Sequence, residues 1–290
     1  MNKFLERYKE WGFEQESFFP HKQFIRINTN LINPKKLISR LEDNRVYLKK
    51  IDFLTSGFQF RCDFPLSSSI EYLLGYFYIQ EAPAQIPGEI IRSEVKDKKY
   101  DDLRVLDMCS APGGKTTHIS EIMRNKGEII AIDSFKSRIP KLCNNLERMK
   151  VENVSVLNID ALEYYPDEQF DIVLLDAPCS GNFTQDKGDA WFEKRSLADF
   201  KNRQRLQTKL IEKALILLKK GGLLIYSTCS LEKEENEEVV ESILSEKVIL
   251  EDINISVGHP GLTDKTKKAL RIWPTQDKLP GFFIAKIRKT

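Results

Sequence analysis

The sequence predicts a doubly wound α/β domain that follows a small α+β domain. From Leu103 onward, short apolar segments alternate with longer segments of helical periodicity. Some apolar segments, such as Ile172–Leu175, are nearly continuous, which is typical of parallel strands that helices cover on both faces. The chain has 290 residues, of which 41% are hydrophobic, and this suits one large domain or two smaller ones; the change of pattern at Leu103 favours two. We place them at residues 1–75 and 76–290.

The first predicted elements are a strand, a helix and two further strands. Gln23–Ile27 alternates between polar and apolar side chains, and Pro34 suits the first turn of a helix that ends near Glu42. Val46–Ile51 and Phe58–Phe60 are predicted to be extended. Such a small sheet either packs against the rest of the chain or offers a surface to a partner.

A surface connection is predicted to follow this sheet. Ile86-Pro-Gly-Glu89 contains the two residue types that most often interrupt helices. The charged stretch Arg92–Asp102 comes directly after it. Both features favour an exposed segment without regular structure.

In the α/β domain, predicted strands alternate with predicted helices. The strands lie at residues 103–107, 128–132, 154–159, 171–176, 222–227, 248–253 and 282–287. The helices lie at about 114–125, 136–149, 198–219 and 234–245. The last strand follows a segment with proline and glycine instead of a clear crossover helix, so we expect it to be antiparallel in a mostly parallel sheet.

Four carboxylates lie at predicted strand ends, Asp107, Asp133, Asp160 and Asp176. Ligands of open α/β sheets bind at the carboxyl ends of the strands, and the glycines of the turn Pro112–Gly114 allow the backbone to approach a ligand closely. For a nucleoside ligand, Asp133 would bind both ribose hydroxyls and Asp160 the adenine amino group. A single strand-end aspartate often caps a helix instead, but four in register favour a ligand site.

The composition and the N-terminus exclude several classes of protein. The formal net charge is only +2, so an anionic partner would have to be bound by local basic patches. The N-terminus is charged and has no apolar signal segment, and no run approaches the roughly 20 apolar residues of a membrane helix. We therefore expect a cytoplasmic protein that is not bound to a membrane.

The cysteines are odd in number and irregularly spaced, and none forms a C-x-x-C pair. They are Cys62, Cys109, Cys143, Cys179 and Cys229. Neither a disulfide framework nor a metal site is expected from this pattern. Cys62 and Cys143 are expected to be inert packing residues. Cys179 and Cys229 differ, because both follow apolar strands at the edge of the sheet where ligands bind.

Two other motifs have ordinary interpretations. Glu232–Glu241 contains six glutamates, and we expect a solvated helical turn in which carboxylates favour the helix dipole. Gly113-Gly-Lys-Thr116 is similar to the end of a phosphate-binding loop, but that loop needs a glycine where this chain has Cys109. The G-x-G-x-x-G pattern of nicotinamide enzymes is also absent.

A glycine turn followed by two strand-end thiols suggests methyl transfer to carbon 5 of a cytosine through a thiol adduct. Asp107–Thr116, Asp176–Gly181 and Tyr226–Ser230, followed by Glu234–Glu237, resemble the Sun-type family of S-adenosylmethionine-dependent RNA cytosine-5 methyltransferases. The resemblance covers about residues 70–290. It implies a Rossmann-type methyltransferase sheet and S-adenosyl-L-methionine as the cofactor.

The resemblance also implies the residues of the site. Those implied to bind the cofactor are Cys109, Ser110, Ala111, Pro112, Gly113, Gly114, Lys115, Asp133, Arg138, Asp160 and Asp176. Cys229 is implied as the nucleophile, and Cys179 as the residue that assists release of the product. Thr275 stands where many family members have histidine, and Asn182 replaces a common small residue, but neither lies in these motifs.

The chemistry of cytosine explains why such residues are needed. Carbon 5 is too weak a nucleophile to take a methyl group until a thiolate adds to carbon 6. Protonation of ring nitrogen 3 assists that addition, and Asp176 is the candidate donor. The base must leave its stack to reach the pocket, where Lys115 would contact it or its phosphate.

An RNA partner is also consistent with the distribution of basic residues. They are concentrated in Lys136–Lys150, in Lys187–Lys209, and in Lys265–Arg271 with Lys286–Lys289. Trp191 and Phe192 interleave with the second stretch, and aromatic residues beside lysines suit single-stranded RNA. Alternatively, the helix face over 198–209 is only solvated surface. We expect the small N-terminal domain to face RNA as well.

A tRNA is the first expected substrate, because the chain is compact, and ribosomal RNA is the second. A DNA cytosine methyltransferase would have its nucleophile at Cys179, and it would need a Glu-Asn-Val motif and a large recognition region that this chain lacks. A non-enzymatic RNA-binding assembly factor is a third possibility, against which the intact Cys179 and Cys229 argue. We expect a monomer.

Overall fold

The computed structural model describes residues 3–12, 22–181 and 196–290, which fall into two compact units. We call Lys22–Tyr165 the central unit, and Met1–His21 together with Pro166–Thr290 the terminal unit. The domains at 1–75 and 76–290 are a different division of the chain and stay a prediction. Within the described ranges, no helix is long and apolar enough to cross a membrane.

The secondary structure follows the predicted alternation. The helices of the described residues are α1 (Lys3–Glu10), α2 (Pro34–Asp43), α3 (Ile70–Leu73), α4 (Ala82–Val95), α5 (Gly114–Ile122), α6 (Ile139–Arg148), α7 (Leu197–Leu217), α8 (Glu237–Glu241) and α9 (Pro274–Asp277). The strands are β1 (Gln23–Ile27), β2 (Tyr47–Lys50), β3 (Gly57–Arg61), β4 (Phe77–Ile79), β5 (Arg104–Asp107), β6 (Glu128–Ile132), β7 (Val154–Leu157), β8 (Phe170–Asp176), β9 (Leu218–Thr228), β10 (Val248–Glu251), β11 (His259–Pro260), β12 (Leu270–Ile272) and β13 (Phe282–Lys289).

The central unit begins with an antiparallel sheet of order β2-β3-β1-β4. The predicted succession of strand, helix and two strands is confirmed by β1, α2, β2 and β3. Asn33 caps α2 by accepting a hydrogen bond from the backbone N–H of Lys35, and Pro34 follows in the first turn. Leu37 and Leu41 of α2 pack on Ile25 and Phe58 of the sheet. This apolar face gives the small sheet its own core.

The predicted surface connection holds for residues 96–102, most of which are exposed, but it is wrong for residues 86–95, because α4 occupies Ala82–Val95 and is largely buried. Pro83 lies in the first turn, where it costs no hydrogen bond, and only Pro87 interrupts the helix interior. Gly88 allows close packing, since a Cβ there would meet the ring of His118 on α5 at 2.1 Å. Burial of this face therefore outweighs the helix-breaking tendency of proline and glycine.

The strands that follow have the directions expected for an α/β fold. In the central unit, β5, β6 and β7 are parallel neighbours. In the terminal unit, β8 and β9 are parallel, and β13 runs antiparallel to β9. Both β10 and β12 pair antiparallel with β13. The prediction of an antiparallel last strand is confirmed.

Candidate active site

In the central unit, the loop between β5 and α5 is shaped by its backbone. The backbone N–H and the hydroxyl of Ser110 both donate to the carbonyl of Ile132 at 2.9 Å, which ties the loop to the end of β6. The Ala111–Pro112 peptide is cis, and Gly113 has a φ of +101°. A Cβ at Gly113 would also lie 2.9 Å from the Leu142 side chain, so both the backbone and the space favour glycine.

Asp133, directly after β6, holds this loop from the other side. Its Oδ2 accepts a hydrogen bond from the backbone N–H of Ala111 at 3.1 Å, and its Oδ1 accepts one from Phe135 at 3.0 Å. The guanidinium of Arg138 lies 3.3 Å from Oδ2 and also donates to the carbonyl of Ala111. The predicted residues Ser110, Ala111, Asp133 and Arg138 are thus brought together.

The other strand-end acids of this unit have distinct surroundings. Asp107 is buried and accepts a hydrogen bond from the Thr116 hydroxyl at 2.7 Å. Asp160 lies three residues beyond the end of β7, is exposed, and caps a short turn by accepting from the N–H of Leu162 at 3.0 Å. Capping therefore accounts for Asp160 locally, and its exposed carboxylate remains available to a ligand.

These groups fit a nucleoside cofactor that carries an amino acid. Asp133 and Asp160 supply carboxylate oxygens for hydroxyl and amino donors. The N-terminus of α5, which follows the glycine turn, favours a carboxylate. Cys109 and Lys115, at the two ends of the loop, are half-buried. The polar groups that the sequence predicts around this loop are therefore present. Their contacts with a ligand stay a prediction.

In the terminal unit, the two strand-end thiols lie side by side. The Sγ atoms of Cys179 and Cys229 are 2.8 Å apart, although the residues are 50 positions apart in the sequence. The parallel register of β8 and β9, which pairs Asp176 with Ser227, brings the two strand ends together. Both cysteines are free and half-buried. The strand pattern predicted that both lie at the ligand-binding edge of the sheet, but it did not predict their contact.

The environment of these thiols favours a protonated Cys179. Its pKa is well above the ordinary value for a thiol, first because of its hydrogen bond with Cys229 and then because of burial. The nearby charges of Glu235 and Asp176 act in the same direction. Asp176, at the end of β8, accepts a hydrogen bond from the Ser227 hydroxyl at 2.7 Å.

The prediction that Glu232–Glu241 is a solvated turn is wrong. We call residues 232–237 the glutamate turn, and in it Glu232, Glu235 and Glu237 are fully buried. Each has partners in the terminal unit: Glu232 binds Arg7 and Tyr8 of α1, and Glu237 forms an ion pair with Arg271. Buried carboxylates require such partners, and the partners lie far away in the sequence.

Because it is buried in this ion pair, Arg271 is not available to bind RNA, although its basic stretch was predicted to do so. It is fully buried, and its Nε and Nη2 donate to the two oxygens of Glu237 at 2.6 Å each. Lys286 and Arg288 pair with Glu251. The prediction that Cys143 is a packing residue is also wrong, because it is exposed, whereas Cys62 packs on the small sheet.

The second basic stretch falls partly on the described helix α7. Lys201, Arg203 and Arg205 are exposed on this helix. Arg203 lines a cavity of about 270 Å³ together with Ser180, Asp199, Asn202 and Leu206. Trp191, Phe192, Asn182 and the remainder of the stretch from Lys187 to residue 195 lie outside the described residues.

The fold, the glycine turn after β5 and the pair of adjacent thiols are typical of an α/β enzyme that binds a nucleoside cofactor. Residues 95–288 match the model of the family described as 16S rRNA methyltransferase RsmB/F, so the chain belongs to this family of S-adenosylmethionine-dependent methyltransferases, and the Sun-type resemblance is confirmed.

Relatives with curated names carry two different RNA activities. The chain is 37% identical over 265 residues to the tRNA (cytosine(72)-C(5))-methyltransferase of Pyrococcus horikoshii, covering 89% of this chain and 65% of the relative. It is 37% identical over 278 residues to the ribosomal RNA small subunit methyltransferase F of Shewanella sediminis, covering 93% and 58%. The chain thus spans about three fifths of the length of these relatives.

Two solved structures share the fold. A methyltransferase homolog protein from Pyrococcus horikoshii matches with a TM-score of 0.81 at 37% identity, covering 93% of this chain and 87% of that one. NSun6 from Pyrococcus horikoshii, solved with the S-adenosylmethionine analogue SFG, matches with a TM-score of 0.82 at 28% identity, covering 92% and 90%. The predicted Rossmann-type fold is confirmed by these likenesses.

Proposed function

We propose that this protein methylates carbon 5 of cytosine in RNA, with S-adenosyl-L-methionine as the methyl donor and Cys229 as the nucleophile. The observation that carries the proposal is the pair of thiols 2.8 Å apart at the ends of β8 and β9. One thiol suffices for attack on the base, and a second within contact distance suits a reaction that must also release a covalent product.

Each residue has a defined task in this reaction. Cys229 forms a bond to carbon 6 as Asp176 gives a proton to ring nitrogen 3, which makes carbon 5 nucleophilic. The bound cofactor supplies the methyl group as part of a sulfonium ion. Loss of the proton on carbon 5 to solvent and return of the nitrogen 3 proton to Asp176 then restore the 5,6 double bond and expel the Cys229 thiolate. Cys179 assists that departure, because its retained proton can hydrogen-bond the leaving sulfur.

The cofactor is assigned to the loop of the central unit. Asp133 would bind the ribose hydroxyls, in competition with Arg138, whose side chain is 44% exposed and can move aside. The backbone around Gly113 and Gly114 would approach the cofactor, together with Cys109, Ser110, Ala111, Pro112 and Lys115. Asp160 would bind the adenine amino group, and Asp176 would lie near the reacting end.

A tRNA is the first candidate substrate and ribosomal RNA the second. The name of the Pyrococcus horikoshii relative supports tRNA, and the family description and the Shewanella relative support ribosomal RNA. The exposed cations of α7 and the cavity beside Ser180 support binding of a polynucleotide. A cytoplasmic location is consistent with either substrate.

Bisulfite sequencing of total RNA from cells with and without this protein tests the proposal. The expected result is one or a few cytosines, in tRNA or in small-subunit ribosomal RNA, whose protection is lost with the protein and restored by the wild type but not by Cys229→Ala. Identical protection patterns in all these cells would refute the proposed function. The site found also decides between the two substrates.

A further inference from the structure

The carboxylate of Glu235 lies between the two segments that carry the thiols. Its Oε2 accepts a hydrogen bond from the backbone N–H of Ser180 at 2.9 Å. Its Oε1 accepts one from the hydroxyl of Ser230 at 3.0 Å. Ser180 directly follows Cys179, and Ser230 directly follows Cys229. One buried side chain therefore connects both cysteine-bearing segments.

Two further interactions complete this connection. The hydroxyl oxygens of Ser180 and Ser230 are 3.1 Å apart. Gln207, buried on α7, donates through Nε2 to Glu235 at 2.9 Å and to the carbonyl of Pro178 at 3.0 Å. The segment around Cys179 is thus held to Glu235 both directly and through α7.

The strand that carries Cys229 fixes the backbone of the same turn. The Tyr226 hydroxyl donates to the carbonyl of Glu235 at 2.5 Å. The Thr228 hydroxyl donates to Oδ1 of Asn236 at 2.6 Å, and Nδ2 of Asn236 donates to the carbonyl of Ser230 at 2.8 Å. The end of β9 and the glutamate turn therefore form one hydrogen-bonded unit, and displacement of Glu235 would disturb both.

We propose that Glu235 is a positioning residue that keeps the two thiols in contact. Hydrogen bonds from buried donors to a carboxylate are short and strong, so they define the separation of the segments that they join. With Ser180 and Ser230 fixed to the same carboxylate, the neighbouring sulfur atoms are held 2.8 Å apart. The consequence for catalysis rests on the proposed function, whereas the thiol geometry is a property of the free protein.

Substitution of Glu235 by glutamine removes the charge but keeps the hydrogen bonds that connect the two cysteine-bearing segments. In Glu235→Gln, the amide oxygen still accepts from Ser180 and Gln207, and the amide nitrogen donates to the Ser230 hydroxyl, which in turn donates to Ser180. Glu235→Ala removes all of these hydrogen bonds. If Glu235 acts by positioning, the thiols should stay in contact in Glu235→Gln but not in Glu235→Ala.

Glu232 provides a matched control. It is equally buried in the same turn, but its carboxylate binds Arg7 and Tyr8 instead of the cysteine-bearing segments. Its backbone N–H, which donates to Ser230, is unaffected by a change of side chain. Glu232→Gln disturbs the glutamate turn without removing the proposed connection.

Titration of the reduced protein with phenylarsine oxide, which bridges two adjacent thiols, measures the geometry directly. All proteins carry Cys62→Ser and Cys143→Ser, and mass spectrometry locates the bridged pair. Because bridging depends on the effective concentration of the second thiol, Cys179→Ser should lower affinity about 100-fold or more, and Glu235→Ala at least about 10-fold. Glu235→Gln and Glu232→Gln should stay within about 2-fold of the reference protein.

Wild-type arsenical affinity in folded Glu235→Ala would overturn the proposal. If that variant does not fold, Ser230→Ala decides, because it removes only a hydroxyl. The expected loss of arsenical affinity is about 3-fold to 10-fold, and no loss would overturn the proposal.

In methylation assays, Glu235→Ala should lower kcat about 100-fold with an unchanged KM for the cofactor, and Glu235→Gln should retain most of the wild-type kcat. A wild type that bridges the arsenical yet methylates no RNA would refute the proposed function alone.

Discussion

The loop between β5 and α5 in the central unit, to which we assign the cofactor and which we call the cofactor loop, is built differently from the glutamate turn of the terminal unit. The loop is shaped by backbone conformation at Gly113; the nearby charged groups Asp160 and Arg138 are exposed, while Asp133, which holds the loop, is buried. Three of the four carboxylates in the turn are fully buried, and each of these has side-chain partners of its own. A region that a ligand completes keeps polar groups available, whereas a region that must hold two reactive atoms in place keeps them paired. Substitutions in the turn should therefore reduce stability, and substitutions in the loop should mainly reduce ligand affinity.

The largest effect on stability is expected from Glu237→Gln. It leaves Arg271 buried without its carboxylate, and breaking a buried ion pair costs about 3–5 kcal/mol. Urea denaturation at pH 7 measures the free energy of unfolding. Glu238→Gln, at an exposed neighbour whose carboxylate accepts a hydrogen bond from Gln204, should change it by less than about 0.5 kcal/mol. Equal effects of the two substitutions would mean that the turn is not held by its buried pairs.

The second largest effect is expected from the ionisation of Glu232, which makes the free energy of unfolding depend on pH. Burial raises the pKa of this carboxyl to about 7, against the opposing effects of Tyr8 and Arg7. Because the folded pKa lies above the ordinary value of 4.5, the neutral form favours folding, and this contribution is lost as the pH rises from about 4.5 through 7. Between pH 5 and pH 8 the loss amounts to about 2–3 kcal/mol.

The side chain of Glu232→Gln cannot ionise. Relative to the wild type, the free energy of unfolding of this variant should therefore increase by about 2–3 kcal/mol between pH 5 and pH 8. Denaturation curves of both proteins at pH 5, 6, 7 and 8 measure the difference. A difference that is constant with pH would show that Glu232 is already ionised at pH 5 in the folded protein.

In the cofactor loop, Asp133→Asn should weaken cofactor binding by about 1–3 kcal/mol, the cost of leaving polar groups without partners. An amide offers one acceptor oxygen where the carboxylate offers two for the ribose hydroxyls. Titration calorimetry with S-adenosylmethionine measures the change, and Asp101→Asn, an exposed residue paired with Lys126, is the control. Unchanged affinity in Asp133→Asn would refute the cofactor assignment. A greater loss of stability than in Glu237→Gln would refute the contrast between the regions.

The smallest effect is expected from single charges on α7. If Lys201 and Arg203 bind RNA phosphates, replacing both with glutamate should reduce the slope of log affinity against log salt by about one unit for each phosphate that is no longer neutralised. Filter binding at several salt concentrations measures the slope. Lys98→Glu is the control, because Lys98 lies outside the predicted basic stretches and already pairs with Glu94 at 3.1 Å. An unchanged slope in the α7 variant would show that this face is only solvated surface.

The strand pattern was sufficient to predict the fold class and the edge of the sheet at which the thiols lie. Continuous apolar runs identified buried parallel strands, and the carboxyl ends of such strands share one edge. The contact between Cys179 and Cys229 was not predicted, because an apolar pattern does not determine which strands are neighbours. The same reasoning missed α4, because proline and glycine were given more weight than the burial of the surrounding apolar residues.

The glutamate turn could not be predicted, because its partners lie in distant parts of the chain. Nothing in the local sequence distinguishes Glu235, which is buried, from the exposed Glu238. Arg7 and Arg271 lie 225 and 34 positions from the carboxylates that they bind. A weak signal was present, since the glutamates begin three residues after Cys229, and a carboxylate so near a strand-end thiol is a candidate for its support.

The most direct test of the proposed chemistry is a denaturing gel of the protein after incubation with a target RNA and S-adenosylmethionine. Cys229→Ala should form no covalent complex and no methylated product, because no thiol attacks carbon 6. Cys179→Ala should form a complex that accumulates, because the Cys229 thiolate lacks its hydrogen-bond donor and therefore leaves the base more slowly. A complex that accumulates with Cys229→Ala and is absent with Cys179→Ala would contradict the proposed mechanism and reverse the roles of the two cysteines.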